Sequence, residues 1–531
     1  MAETTDSPQL VRVLGPGLLL LFVIGDILGT GIYALTGEVA NEVGGVVWLP
    51  FLVAFAVATV TAFSYLELVT KYPRAAGAAL YTHKAFGVHF LTFLVAFAVM
   101  SSGITSAATA ARAFAANFAE AFGLDLAGTA GITVIALVFV LVLAVINFRG
   151  VAESVKTNVV LTMIELGGLL IIVAIGMWAL GFGGGDFSRV VEIDPGDRSV
   201  FSAVVAGTAL AFFAMVGFED SVNMAEECKE PTRIFPRMLL LGLGLAALVY
   251  VLVSITAIAL VPPDELGAGE TPLLRVVEVG APAFPVGIFA FVTMFAVANT
   301  ALINMLMASR LIYGIAREDV LPAVLGRVHP TRRTPYVAIV FTTLLAVGLV
   351  VFVGGVPELG GTTALLLLGV FAIVNVAALV LRRDHVEHRH FRAPTILPVL
   401  GAASCLFLVL PWVDRPATQY RTAGVLIGIG VVLWLVTRLA GRRAGRPASA
   451  TGREEGGIAR RAESREALGG PQRLRTSAIE PRPRTAVTSM ARDMGTAVSS
   501  PQAPTIGATT AASRNWRAPR SAEPVPAACR T

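Results

Sequence analysis

Apolar stretches about 20 residues long recur along the chain, separated by short polar or charged connections. A helix crossing about 30 Å of hydrocarbon needs roughly 20 apolar residues. Twelve crossings are expected, at about 17–36, 46–70, 88–118, 128–147, 158–181, 202–224, 238–261, 283–313, 336–354, 362–381, 396–413 and 422–440. Unpaired backbone groups are costly in lipid, so each crossing must be helix or part of a closed barrel. Runs such as Leu18 to Ile24 lack the alternation of a barrel strand, so the expected class is an all-α integral membrane protein.

Composition agrees. Of 531 residues, 55% are hydrophobic and only 15% charged, which does not suit a water-exposed surface of that size. The positive charges are unevenly placed. Connections after the even-numbered crossings carry 17 Lys or Arg, among them Lys71, Lys84, Arg149, Arg237, Arg310 and Arg382, whereas the opposite connections carry five: Arg189, Arg198, Arg275, Arg415 and Arg421. Cytoplasmic loops carry that excess, so both termini are expected in the cytoplasm.

The net charge of +5 belongs to the end of the chain. Residues 441–531 hold 16 Arg against seven acids, or +9, which leaves −4 for residues 1–440. This segment has no apolar period and reads as a disordered basic cytoplasmic tail, either solvated or lying on anionic headgroups. The expected division is a cytoplasmic N-terminal segment at 1–14, a membrane domain at 15–440 and that tail. The acidic, polar start MAETTDSPQL is not a cleaved signal peptide by this reading. Cys228, Cys405 and Cys529 show no metal-ligand spacing and no disulfide framework, so neither metal nor cofactor is expected.

Two crossings carry residues that suit lipid poorly. In the first, LLLLFVI is followed by GDILGTGIYAL, placing Asp26 and three glycines near the bilayer centre. A charge there costs about 2.5–3.5 kcal/mol on insertion scales, and glycine weakens a helix by about 1 kcal/mol. A helix unwound near Gly29, Thr30 and Gly31 exposes amides that attract a carboxylate and carbonyls that attract an ammonium. The competing reading is that the glycines only permit close helix packing. The sixth crossing, TALAFFAMVGFEDSVNMAEE, repeats the pattern five helices later, with Gly217 beside Glu219 and Asp220. Glycine-interrupted segments at matching positions point to inverted repeats with a midplane site, here about 15–181 and 202–382, with extra helices at 396–440.

Four segments carry a family resemblance: GDILGTGIYALTG, FSYLELVTKYPRAAGAALYTHKAFG (63–87), FFAMVGFEDSVNMAEECKEPTRIFPRM (212–238) and ASRLIYGIAREDVLP (308–322). Over roughly 14–440 the chain resembles the amino acid, polyamine and organocation transporter superfamily. The resemblance implies ten core helices in two inverted five-helix repeats, with substrate between broken helices 1 and 6. By motif, the amides of Gly29, Thr30 and Gly31 would meet the substrate carboxylate, and carbonyls near Ile24 and along Phe213, Ala214 and Val216 its amine. Phe213 matches an aromatic that closes over substrate, and Glu219 an acid that braces the break or relays conformational change. Glu165 stands where several proton-coupled relatives have a lysine that mimics a bound cation. It reads either as a protonatable carboxylate, since burial raises a carboxyl pKa, or as a paired interior acid. Asp26 departs from the commoner apolar residue and is a candidate for substrate amine or coupling cation, with capping of the break as its structural alternative. Asn299 is a candidate substrate contact or interhelical polar tie. Arg112, toward the outer end of helix 3, is expected to snorkel.

These features imply a secondary active permease moving an amino acid or related amine by alternating access, as a cation-coupled symporter or an exchanger, with proton or sodium as coupling ion. Its partners are then substrate, ion and lipid bilayer, with no nucleic acid. No phosphate-binding G-x-x-x-x-G-K-[ST] loop occurs. All six histidines fall in or beside connections expected on the cytoplasmic side, which argues against a membrane enzyme. A transporter-fold amino acid sensor is the alternative.

Overall fold

The computed structural model describes residues 14–73, 77–124, 129–150, 155–182, 184–317 and 320–443. The expected basic tail therefore lies almost wholly outside the described residues. The described residues form one compact unit. It is helical, with two isolated β-bridges and no named strand among the described residues.

In chain order the helices are α1 Pro16–Leu28, α2 Thr30–Val43, α3 Trp48–Lys71, α4 Gly77–Phe86, α5 His89–Ala121, α6 Thr129–Arg149, α7 Val155–Gly181 and α8 Val200–Ala211. They continue as α9 Pro231–Leu260, α10 Pro263–Leu266, α11 Pro272–Gly280, α12 Val286–Arg317, α13 Tyr336–Phe352, α14 Val356–Leu381, α15 Ile396–Val409 and α16 Ala417–Arg443. Among the described residues ten helical segments are long and apolar enough to cross a membrane. Two shorter apolar helices, α13 and α15, occupy the ninth and eleventh expected positions.

The exposed residues of α6 show what surrounds the bundle. Val134, Val138, Leu141 and Val145 recur at helical spacing and are all exposed. Such a stripe suits hydrocarbon, and a monomer in water rarely leaves one uncovered. The interior is built on small residues. α5 presents Ala107, Ala108, Ala110 and Ala111, all buried, and packs extensively along α12. Small side chains allow helix axes to approach where lipid gives no hydrophobic drive for association.

Several boundaries differ from the hydropathy reading. α9 starts at Pro231, seven residues before the expected start, because Pro231 at the first helical position needs no amide partner. The second part of the sixth crossing is not α-helix. After α8 ends at Ala211, the chain makes a 3-10 turn over Phe212–Met215, extends at Val216 and turns at Gly217 with φ 121°. It then runs as 3-10 helix over Asp220–Glu227. Side chains compete for the backbone here: the Glu219 carboxylate accepts the Gly217 N–H at 2.9 Å, and Ser221 Oγ donates to the Phe218 carbonyl at 2.6 Å. This segment is tied to the start of α1, where Leu14 N–H donates to Glu227 O and Lys229 N–H to Leu14 O.

Of three arginines read from sequence as loop or snorkelling charges, Arg112 and Arg415 are buried and Arg382 is half-buried. Arg112 pairs with Glu270 at 2.9 Å rather than reaching for an interface. Arg382 forms a two-pronged pair with Glu67, at 2.9 and 2.7 Å, and Glu67 also accepts the Ala393 N–H. Arg415 donates to the carbonyls of Ala209, Gly361 and Leu408 and to Gln419, joining α8, α14, α15 and α16. Each uses the multiple donors of guanidinium to satisfy groups from separate helices.

Candidate functional site

The break in the first crossing is one residue wide. α1 ends at Leu28, Gly29 adopts φ −37° and ψ −149°, and α2 starts at Thr30. Thr30 and Gly31 are thus the first turn of α2, whose leading N–H groups have no partner within the helix. The carbonyls left over by α1 are those of its last turn, Gly25 to Leu28, so Ile24 sits just upstream of them. Ile27 O accepts the hydroxyl of Tyr250 at 2.5 Å, which anchors that end to α9.

The second break packs against the first. A Cβ on Gly217 would collide with the Asp26 carbonyl, coming within 2.7 Å of its carbon. A Cβ on Gly31 would lie 2.7 Å from Ala214 Cβ and closer still to its Cα. Glycine at both positions therefore lets two unwound backbones touch, and at Gly217 it also supplies the positive φ.

Between them lies a cavity of about 30 Å³ lined by Asp26, Gly29, Thr30, Gly31, Phe213 and Gly217, with Ser106, Val216, Asp220, Thr300 and Asn304 completing the wall. Ser106, Val216, Asp220 and Asn304 also line a second cavity of about 300 Å³. This larger chamber runs past Tyr65, Glu219 and Asn223 to Gly77 at the start of α4 and Arg310 late in α12. The small cavity therefore opens into a vestibule on the side of α4. On the other side the bundle is packed. A Cβ on Gly37 of α2 would overlap the Leu266 carbonyl of α10, and Arg112 on α5 holds Glu270, between α10 and α11.

The remaining sequence candidates take separate positions. Phe213 is buried against α14, where a Cβ on Gly360 would meet its ring at 3.4 Å. Ala214 packs on Gly31 without lining either cavity, and Ile24 is buried in α1. Asn299 lies outside both cavities and donates to Glu165 Oε1 at 3.2 Å. Glu165 is fully buried on α7, behind the break, where its backbone carbonyl accepts the hydroxyl of Tyr33. Its second oxygen has no hydrogen-bond partner among the described residues.

Sequence reading passed over Ser106, Thr300 and Asn304. A spacing signal was present: Asn304 follows Asn299 by five residues, which places it on a different face of α12. Asn304 is held by its own helix and by α5, its amide donating to Thr300 O at 2.9 Å and to Ser106 Oγ at 3.3 Å.

A bundle of apolar helices, with two broken helices framing a polar cavity at their junction, defines an integral membrane transporter. An amino acid permease profile matches residues 18–433, and the chain belongs to that family. It is 25% identical to a methylthioribose transporter of Bacillus subtilis, over 82% of this chain and 95% of that one. It is 26% identical to a branched-chain amino acid permease of the same organism, over 77% and 90%. It is 27% identical to a chloroplastic cationic amino acid transporter of Arabidopsis thaliana, over 62% and 59%. These relatives are transporters, not enzymes.

Proposed function

We propose that this permease is a secondary active transporter carrying an α-amino acid or related amine across the cytoplasmic membrane by alternating access. The observation that carries the reading is the meeting of the two breaks at one cavity. The free amides of α2 supply positive partial charge for a carboxylate, while the last carbonyls of α1 and the Asp26 carboxylate supply negative charge for an ammonium. A zwitterion satisfies both ends. The vestibule on the side of α4 is the cytoplasmic opening, consistent with the excess of Lys and Arg on the connections at that face, and both termini lie on that side. Two inverted repeats, 15–181 and 202–382, account for the matching breaks.

Glu165 is the proposed coupling group. It lies one layer behind the substrate cavity, with one carboxylate oxygen held by Asn299 and the other unpartnered. An unpaired acid at this depth is stable when protonated or when a cation sits beside it. Coupled uptake then links the charge state of Glu165 to the packing of α1 against α7.

Uptake of labelled amino acids by reconstituted protein, with and without an imposed proton or sodium gradient, tests the reading. Gradient-dependent accumulation is expected, and it should persist when residues 445–531 are deleted. Failure to bind or move any amine would overturn it.

A further inference from the structure

The adjacent acids at the second break have different surroundings. Glu219 is buried, and its carboxylate accepts the Gly217 N–H, so it is committed to the turn. Asp220 is half-buried and lines both the small cavity and the vestibule. Its carboxylate has no side-chain hydrogen bond and no Lys or Arg nitrogen within 4 Å among the described residues. An ionised carboxylate at membrane depth is retained when something compensates it. The cation lining the same chamber, Arg310, follows Asn304 by six residues, about 9 Å further along α12.

The neighbours of Asp220 extend its chemistry. Asn304 spends both amide hydrogens, on Thr300 O and Ser106 Oγ, so its carbonyl oxygen is what remains for a ligand. That oxygen faces Gly103 of α5, where a Cβ would approach it at 3.3 Å. The junction of the two cavities therefore presents the acceptor oxygens of Asp220 and Asn304 beside the hydroxyl of Ser106. Beyond it the vestibule wall is largely apolar, with Val99, Met100, Leu311 and Leu367. Acceptors beside an apolar wall suit an aliphatic stem ending in a cation.

We infer that Asp220, with the carbonyl of Asn304, is a specificity-determining subsite that receives a cationic side chain, making the preferred cargo a dibasic amino acid. The inference rests on the transport reading above and deepens it. The α2 amides take the α-carboxylate, Asp26 and the α1 carbonyls take the α-ammonium, and Asp220 takes the second cation. Two carboxylates then face two ammonium groups. A neutral side chain of the same length would leave Asp220 desolvated and unpaired.

The test compares L-lysine with L-norleucine, which share the four-carbon stem and differ in the terminal ammonium. Competition against a labelled amino acid is measured with purified, reconstituted protein. The wild-type chain is expected to bind lysine at least about tenfold more tightly than norleucine, the scale of one charge-assisted hydrogen bond. Asp220→Asn should lose most of that ratio while still binding norleucine, and Asp220→Glu should keep the preference for lysine. A wild-type preference for norleucine, or an unchanged ratio in Asp220→Asn, would overturn the inference and leave the permease reading standing. Absence of binding for every amino acid would sink the permease reading instead. Should Asp220→Asn fail to fold, the wild-type ratio decides by itself.

Discussion

The amide of Gly217 donates to the carboxylate of Glu219 across a 2.9 Å hydrogen bond, closing the turn at which the sixth crossing loses its helix. The glycine is needed twice over. Its φ of 121° is a region that L-residues with a Cβ avoid, and its Cα faces the Asp26 carbonyl of the other broken helix.

Gly217→Ala should therefore push the breaks apart as well as strain the turn, at a cost of about 1–3 kcal/mol. Transport is expected to fall by at least about tenfold while the protein still inserts. Uptake alongside a detergent melting curve checks this. Near-normal uptake would refute the idea that the two unwound backbones must touch.

Gly31→Val should act on the same contact from the other helix. A side chain at residue 31 would displace Ala214 and alter the first turn of α2, the proposed seat of the substrate carboxylate. Substrate binding should be lost with membrane insertion unchanged. Titration of purified protein with labelled amino acid reads the outcome, and an unchanged affinity would count against the site.

Glu165→Gln keeps a hydrogen-bonding partner for Asn299 and removes the titratable proton. Gradient-driven accumulation should fall to the level of exchange, and the response of uptake to external pH should flatten. Glu165→Leu is expected to lower stability as well, because the Asn299 amide donating at 3.2 Å would be left buried and unsatisfied, at about 1–3 kcal/mol. A Gln variant that still concentrates substrate along a proton gradient would exclude Glu165 as the coupling group.

Glu67 and Arg382 join the end of α3 to the end of α14, with side chains only 3% and 11% exposed. Glu67→Gln removes the charge facing Arg382, which keeps its hydrogen bonds to Ala393 O and Thr395 Oγ1, and should destabilise the protein by about 1–3 kcal/mol. The double variant Glu67→Leu with Arg382→Met should recover part of that loss. Melting temperatures of the two variants and the unchanged chain measure the effect, and a double variant less stable than Glu67→Gln would argue against a buried pair.

Arg112 and Glu270 hold α5 to the segment between α10 and α11, on the face where the bundle is packed closed. Glu270→Gln should raise the share of molecules open on that face. A cysteine placed at Glu38 of α2 is expected to react faster with an impermeant thiol reagent in that background. Equal labelling rates would show that the pair does not help close this side.

Much of the membrane architecture was legible in the residues. The twelve apolar stretches coincide with ten long helical segments and the shorter α13 and α15, because insertion depends on each segment's own transfer free energy. The breaks at Gly29 and Gly217 were legible for the same local reason, since glycine and acids fit poorly in a continuous helix at membrane depth. The 3-10 form of Asp220–Glu227 was less so. Hydropathy cannot show that Glu219 captures an amide two residues back.

What the sequence by itself determined was an all-helical membrane chain interrupted at two glycine-rich points, together with a supply of polar residues at those depths. Tertiary structure decided where each polar group is used. Asn299 turns to Glu165, while Asn304, five residues on, lines the cavity. Glu219 closes a turn and its neighbour Asp220 faces the chamber. Arg112, Arg382 and Arg415, alike in a charge count, become ties between separate segments of the bundle. The physical reason is range. Helix formation and burial in lipid depend on residues a few positions apart, whereas the directions of Asn299, Arg112, Arg382 and Arg415 depend on partners that folding brings from over a hundred residues away.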